Sequence, residues 1–303
     1  MRNLIIIVFI LFYGKAKFQD KANTMIKKVE TKNKKMDIQK PYYTAKLQVQ
    51  ACYYEVFLND IPVFSYGVKG GMTNEIPLNT CILTSGKQLL KIRLSPMFNN
   101  MQLNANTDLS VDFGYSEVID GKKMSDYVSL GKFQLPKEIL EKKLPYYEIE
   151  LPFDASVSWN YKSILEDAQD LSNTTTFLDE GARKFYKVLQ SKDSESYFEI
   201  MKQSIKMQAQ MEYMSKQEVD DLYKETNLSN IKKLYPLEDY DIKFYAKGKL
   251  VRFVSKKKDE NGNQYLFKYT VPPLMAGKQD GEGAFNYLFY LPKGKKTIRS
   301  FLI

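Results

Sequence analysis

The chain reads as a two-domain α+β protein: an N-terminal antiparallel β-sandwich, then three helices packed on a curled antiparallel sheet. Three observations lead there. Its 303 residues suit two domains, at about 150 residues apiece. Between Tyr42 and Phe153, short runs of β-branched and aromatic residues alternate with turn signals, and no helical spacing persists. Beyond Thr176 the apolar residues take up helical spacing, and after Pro236 they return to strand-like runs.

Ahead of both domains, Met1-Arg2 leads into an unbroken apolar run from Leu4 to Phe12, followed by Tyr13-Gly14-Lys15-Ala16. A membrane-spanning helix needs roughly 17–25 apolar residues, so this run is too short to cross a bilayer. Its length is that of a secretory h-region, and Gly14 and Ala16 supply the small side chains a signal peptidase accepts. Residues 1–16 are therefore expected to be a signal peptide cleaved after Ala16. The mature chain is expected without a transmembrane span, in the periplasm, the cell envelope or outside the cell.

The formal charge of +9 invites a nucleic-acid reading until it is located. Arg2 and Lys15 belong to the leader. Residues 17–40 hold eight Lys against Asp20, Glu30 and Asp37, which leaves +2 for residues 41–303. Basicity confined to a short polar stretch is expected of a disordered linker and not of a basic groove, so no nucleic-acid partner is expected. The chain contains no His, which excludes Ser-His-Asp and Cys-His catalysis and His-ligated zinc. Its two Cys are too few for a Cys-rich structural zinc site. No cofactor is expected.

Residues 41–158 are assigned to the sandwich. YYTAKLQVQACYYEVFLN is strand-like up to the turn pair Asn59-Asp60, and IPVFSY follows. Gly67–Gly71 is a connection to EIPLNTCIL. Neither it nor Thr84-Ser85-Gly86-Lys87 has the Gly-Lys-Ser/Thr step and following helix of a phosphate-binding loop. In QLLKIRLSP, Leu90, Ile92 and Leu94 alternate with Lys91 and Arg93, as a half-buried strand requires. DLSVDFGYSEV, YVSLGKFQL and YYEIELPF complete the set. Cys52 and Cys81 fall on expected strands of this one domain. In an oxidising compartment they are candidates to pair as a disulfide.

Residues 159–176 form a polar connection with a boundary between Phe153 and Thr176, and Trp159 is expected to fill the joint between domains. Residues 177–303 make the second domain. Leu178, Ala182, Phe185 and Leu189 mark one face of a helix capped by the Thr174–Thr176 cluster. Ile200, Ser204, Met207, Met211 and Met214 stripe a second helix starting near Ser194, and helical spacing marks them as core. Ser215-x-x-Glu218 is a capping box opening a third, which carries Val219, Leu222 and Tyr223. DIKFYAKG and KLVRFVSK meet around Gly248, Asn261-Gly262 turns into QYLFKYTV, and AFNYLFYLP meets TIRSFLI at Gly294–Lys296.

Two stretches resemble known families. ILTSGKQLLKIRLSP is similar to the strand-turn-strand of carbohydrate-binding jelly-roll and immunoglobulin-like modules. The helix pair ARKFYKVLQSKDSESYFEIM, with the order of elements around it, resembles NTF2-like cone folds. That family usually places a strand between its second and third helices, whereas MKQSIKMQAQMEYM reads as helix. Its enzymes often rely on an Asp–His pair, which a chain without His cannot form. The resemblance thus implies a cone fold and speaks against an enzyme.

Chemistry is sparse. Asp259–Asn263 has oxygen ligands, but Gly262 falls at the fourth position and not the sixth of an EF-hand loop, so a hairpin turn is expected. Asp280 and Glu282 are the carboxylates best placed to meet a hard cation, yet such a site wants six or more oxygens. Asp220, Asp221, Asp239 and Asp241 are candidates for a glycosidase pair, which needs two carboxylates about 5–10 Å apart across a cleft. Exposed charge is the simpler expectation. Together these readings favour an exported, non-catalytic protein that binds a protein partner, such as an envelope immunity protein that caps a toxin. A glycan ligand, or a carboxylate-based glycan-active enzyme, is the alternative.

Overall fold

The computed structural model describes residues 40–68, 70–97, 100–120, 123–225, 228–259, 263–273 and 280–302. The expected signal peptide, the cleavage after Ala16, the Lys-rich stretch up to residue 39 and the Asn261-Gly262 turn lie outside the described residues. The chain is α+β with predominantly antiparallel sheets.

The first half contains β1 (Pro41–Gln50), β2 (Tyr53–Leu58), β3 (Ile61–Tyr66), β4 (Met72–Pro77), β5 (Gly86–Ser95), β6 (Asp108–Asp120), β7 (Lys123–Met124), β8 (Val128–Gln134), a short helix α1 (Lys137–Glu141) and β9 (Tyr147–Ala155). They form two sheets. One runs β4-β1-β6-β7, with β8 also paired to β6; the other runs β3-β2-β5-β9. Leu47, Val49 and Val111 from the first meet Val56, Leu58, Leu90, Ile92 and Leu94 from the second in one core. Burial of each such side chain contributes about 1.5–3 kcal/mol. Lys91 and Arg93 project from the opposite face of β5, where Arg93 pairs with Glu148.

Two expectations for this half need correction. The run Tyr42–Asn59 is not one strand. It breaks at Ala51, whose φ is 56°, and β1 and β2 belong to different sheets. The stretch EIPLNTCIL is strand only to Pro77; Asn79–Cys81 is a 3-10 turn. Pro at a strand end has no N–H to continue the ladder, and the buried Asn79 amide supplies the turn with other partners. The short α1 was likewise not anticipated. The Asn59-Asp60 turn is as expected. Both residues have positive φ, 53° and 66°, and Leu58 pairs with Ile61 around them, as a tight two-residue hairpin demands.

The connection carries α2 (Lys162–Glu166) and is tied to both halves. Trp159 Nε1 donates to Ile82 O at 2.6 Å and its ring lies 5.7 Å from that of Tyr213. Tyr161 N donates to Leu83 O, and its hydroxyl donates to Gln210 Oε1 at 2.6 Å. Leu171 N donates to Gly248 O. Gly248 has φ +81°, and a Cβ there would meet Ser172 Oγ and Asp170 Oδ1.

The second half contains α3 (Thr175–Gln190), α4 (Ser194–Met211), α5 (Lys216–Glu225), β10 (Lys233–Leu234), β11 (Tyr240–Tyr245), β12 (Leu250–Ser255), β13 (Phe267–Val271), β14 (Gly281–Phe285), β15 (Leu288–Tyr290) and β16 (Arg299–Leu302). The strands form the sheets β10-β13-β14 and β11-β12-β15-β16, and the bridge Val254↔Tyr265 ties β12 to the segment just before β13. AFNYLFYLP, read as one strand, therefore splits between two sheets at Asn286-Tyr287. Helix α4 buries Ile200, Ser204, Met207 and Met211 as the stripe predicts, but it ends at Met211, so Met214, expected on the same stripe, lies beyond the helix and is half-buried. The capping box closes as read: Ser215 N and Oγ reach Glu218 Oε2 at 2.9 and 2.8 Å, and Glu218 N donates back to Ser215 Oγ. The Thr174 cap does not form. Its Oγ1 donates to Leu171 O instead, and no side chain caps α3. An unanticipated cap holds α4, where Asp193 accepts from Ser196 N at 3.0 Å.

Candidate functional site

The space between the helices and the second-half sheets is filled by rings. Phe185, 1 % exposed, lies 5.0 Å from Phe267, 5.1 Å from Phe289 and 6.2 Å from Tyr197 and from Tyr287. The contacts with Phe267, Phe289 and Tyr287 are edge-on and that with Tyr197 is closer to stacked, both favourable geometries for aromatic pairs. Tyr197 and Tyr287 share a hydrogen bond at 2.7 Å, so the phenols inside this cluster are satisfied.

Two surface clefts flank this cluster. The larger, about 610 Å³, runs between α3, α4 and the turn before β16. The smaller, about 460 Å³, lies where α3 meets β11 and is lined by Asp179, Arg183, Glu238, Asp239, Tyr240 and Lys256. The helix places Asp179 and Arg183 one turn apart, and they pair at 2.8 Å. Tyr240 donates its hydroxyl to Asp179, and Lys256 N donates to Asp239 O. The Arg183 hydrogen bond, reinforced by Tyr240, holds the Asp179 carboxyl below its ordinary value. Glu238 is also lowered, by its bond from Ser255 and by the Lys268 charge. A glycosidase acid needs the opposite shift, since it must stay protonated to donate.

The carboxylates picked out from sequence are dispersed. Asp220 and Asp221 lie on α5, where Asp221 accepts from Lys224 and Gln217. Asp239 borders the smaller cleft, while Asp241 sits 3.9 Å from Lys256. Asp280 pairs with Lys232 at 2.8 Å, and Glu282 accepts from the Tyr235 hydroxyl at 2.9 Å. The two hard-cation candidates are thus engaged by an ammonium and a phenol. Asp259 is likewise occupied, accepting from Asn263 N and Nδ2. Among the described residues, no group of three or more His, Cys, Asp or Glu is arranged to hold a metal ion. No described helix is long and apolar enough to cross a membrane.

The expected Cys52–Cys81 bridge is not formed; both thiols are free and buried. They sit in different surroundings, Cys52 near Asp108 and Cys81 near Thr80 and Arg252. Burial pushes each up to about 12, so both behave as small apolar side chains.

Several residues at the joint between the halves were missed from sequence. Asn79 accepts from Tyr43 N at 2.8 Å and donates to Pro41 O and Met211 O at 3.1 and 2.8 Å. Beside it, burial raises the Glu212 carboxyl above its ordinary value. Arg252 lies over the Tyr245 ring, and its buried Nε has no partner among the described residues. For the smaller cleft, Asp239 was named from sequence, and the i, i+4 spacing of Asp179 and Arg183 is a further signal there. No protein-family model matches the chain, and no curated protein or solved structure matches it either.

Proposed function

We propose that this chain is an exported, non-catalytic binding protein of the periplasm or cell envelope, acting on a protein partner. In this reading the first half is a β-sandwich module and the second a filled NTF2-like cone, a scaffold that presents surfaces. The observation that carries it is the aromatic interior around Phe185, where among the described residues the rings of Phe267, Phe289, Tyr197 and Tyr287 pack directly against it. The low-held Asp179 and Glu238 support it as well. One concrete form is an immunity-type protein that caps a toxin.

A glycan-active enzyme is the second reading, favoured by the gathering of Asp179, Glu238 and Asp239 at one cleft beside Tyr240. Affinity capture from envelope extracts, run beside a cell-wall glycan hydrolysis screen, separates the two. A binder retains a partner, and changing Asp179, Glu238 or Asp239 singly to the amide leaves that retention largely intact. Glycan turnover that vanishes with one such substitution overturns the binding reading, because loss of a general acid or nucleophile costs orders of magnitude in rate.

A further inference from the structure

The larger cleft has a makeup that the binding reading does not by itself require. On α3, Phe177, Gly181, Lys184 and Val188 recur on a face next to the one buried in the core. Gly181 has a definite reason to be there. A Cβ would stand 3.1 Å from Ile298 Cδ1, so glycine lets the turn before β16 lie close against the helix, although mid-helix glycine costs about 0.5–1 kcal/mol. Phe177, Gly181 and Val188, with Ile200 of α4, give the groove an apolar floor.

Its rim is charged, and the charges differ in how they are answered. Asp193 is committed to the α4 cap, Glu199 to Lys202 and Arg299, and Glu195 also has a partner. Lys184, Lys187 and Lys296 line the groove, are exposed, and make no ion pair or side-chain hydrogen bond among the described residues. Glu180 is the lining acid in the same state. Lys293 and Lys295, in the same turn as Lys296, are also exposed. Unanswered charge at this groove is therefore mainly positive.

We propose that this groove docks a segment of a partner protein carrying acidic residues between apolar anchors. The floor takes the anchors, and Lys184, Lys187 and Lys296 take the carboxylates. Concavity favours a peptide segment over a flat anionic membrane, and the volume of about 610 Å³ holds several side chains. The inference rests on the binding reading above and adds the chemistry of the partner.

The test uses the full chain and three fluorescent peptides followed by anisotropy. One alternates Glu with Leu and Phe; a second replaces its Glu with Lys; a third keeps Glu but replaces Leu and Phe with Ser. The first should bind saturably and the other two far more weakly. The double variant K184E/K187E should lose at least about tenfold in affinity for it. Both lysines are solvent-exposed, and K184S/K187S serves should the reversal impair folding. Equal binding of all three peptides, an unchanged affinity in both variants, or no saturable binding of the first peptide overturns the proposal. So does binding to anionic lipid vesicles that needs the same lysines while the peptide is ignored. Envelope capture with wild type and variant in parallel keeps the two claims apart. A partner retained equally by both sinks the groove and spares the binding function, and failure to capture any partner bears on the binding function while the peptides still decide the groove.

Discussion

Asn79 makes three hydrogen bonds with no exposed surface of its own, and each reaches a different backbone group: Tyr43, Pro41 and Met211. Replacing it with Ala leaves those groups buried without partners. We expect Asn79→Ala to cost about 3 kcal/mol, read as a lower urea midpoint at an unchanged slope. Glu212 is the opposite case, a group the fold tolerates at a cost. Burial raises its folded-state carboxyl above the ordinary 4.5, with a smaller contribution from the Glu218 charge. Below the unfolded value both states are protonated and nothing is lost. As pH rises through the window above it, the unfolded state releases the proton first and stability falls. Glu212→Gln should therefore be more stable than wild type at pH 7, with the difference closing as pH drops to 4. Parallel urea titrations at the two pH values check this, and an advantage that persists unchanged at pH 4 would contradict the assignment.

Strand β6 carries a close approach that only glycine permits. A Cβ on Gly114 would lie 2.0 Å from Val128 O of β8, at the bulge between Phe113 and Gly114. We expect Gly114→Ala to destabilise by about 2 kcal/mol or more, and hydrogen exchange should quicken in β8 first. Helix α5 depends on its capping box, so Ser215→Ala should cost about 1 kcal/mol in a denaturant titration. Helix α4 ends less comfortably. Tyr213 follows it with φ 54°, a conformation L-residues adopt at a cost. Its hydroxyl bond to Pro41 O and its ring contact with Trp159 hold it there.

The two halves share a core. Met207, Met211, Leu250, Leu288, Tyr290 and Phe301 from the second pack into the same cluster as the strands of the first. The polar connection at 159–176 is hydrogen-bonded to both sides through Trp159, Tyr161 and Leu171. Separating the halves would expose this apolar surface and unpair Asn79. We therefore expect a single calorimetric transition whose van't Hoff and calorimetric enthalpies agree. Two resolved transitions, or a protease cut at 159–176 that releases two folded fragments, would show that the shared core contributes little.

Much of the molecule was legible in the chain because local chemistry decides local structure. Leu90, Ile92 and Leu94 announced a half-buried strand, Asn59-Asp60 a hairpin turn, and Ser215 with Glu218 a helix start. Each depends on residues close in sequence. The split at Ala51 was also written there, since the buried positions change from Leu47 and Val49 to Tyr54, Val56 and Leu58, a reversal of phase hidden inside one apolar run. Which sheet each piece joins, by contrast, depends on partners far away. So do the three bonds of Asn79, the separate fates of Cys52 and Cys81, and the meeting of Asp179 with Tyr240. Lys184 and Lys296 likewise come to one groove only when the turn before β16 folds back on α3. A side chain's neighbours within a few residues follow from backbone geometry, whereas contacts across a hundred residues follow from how whole faces bury together.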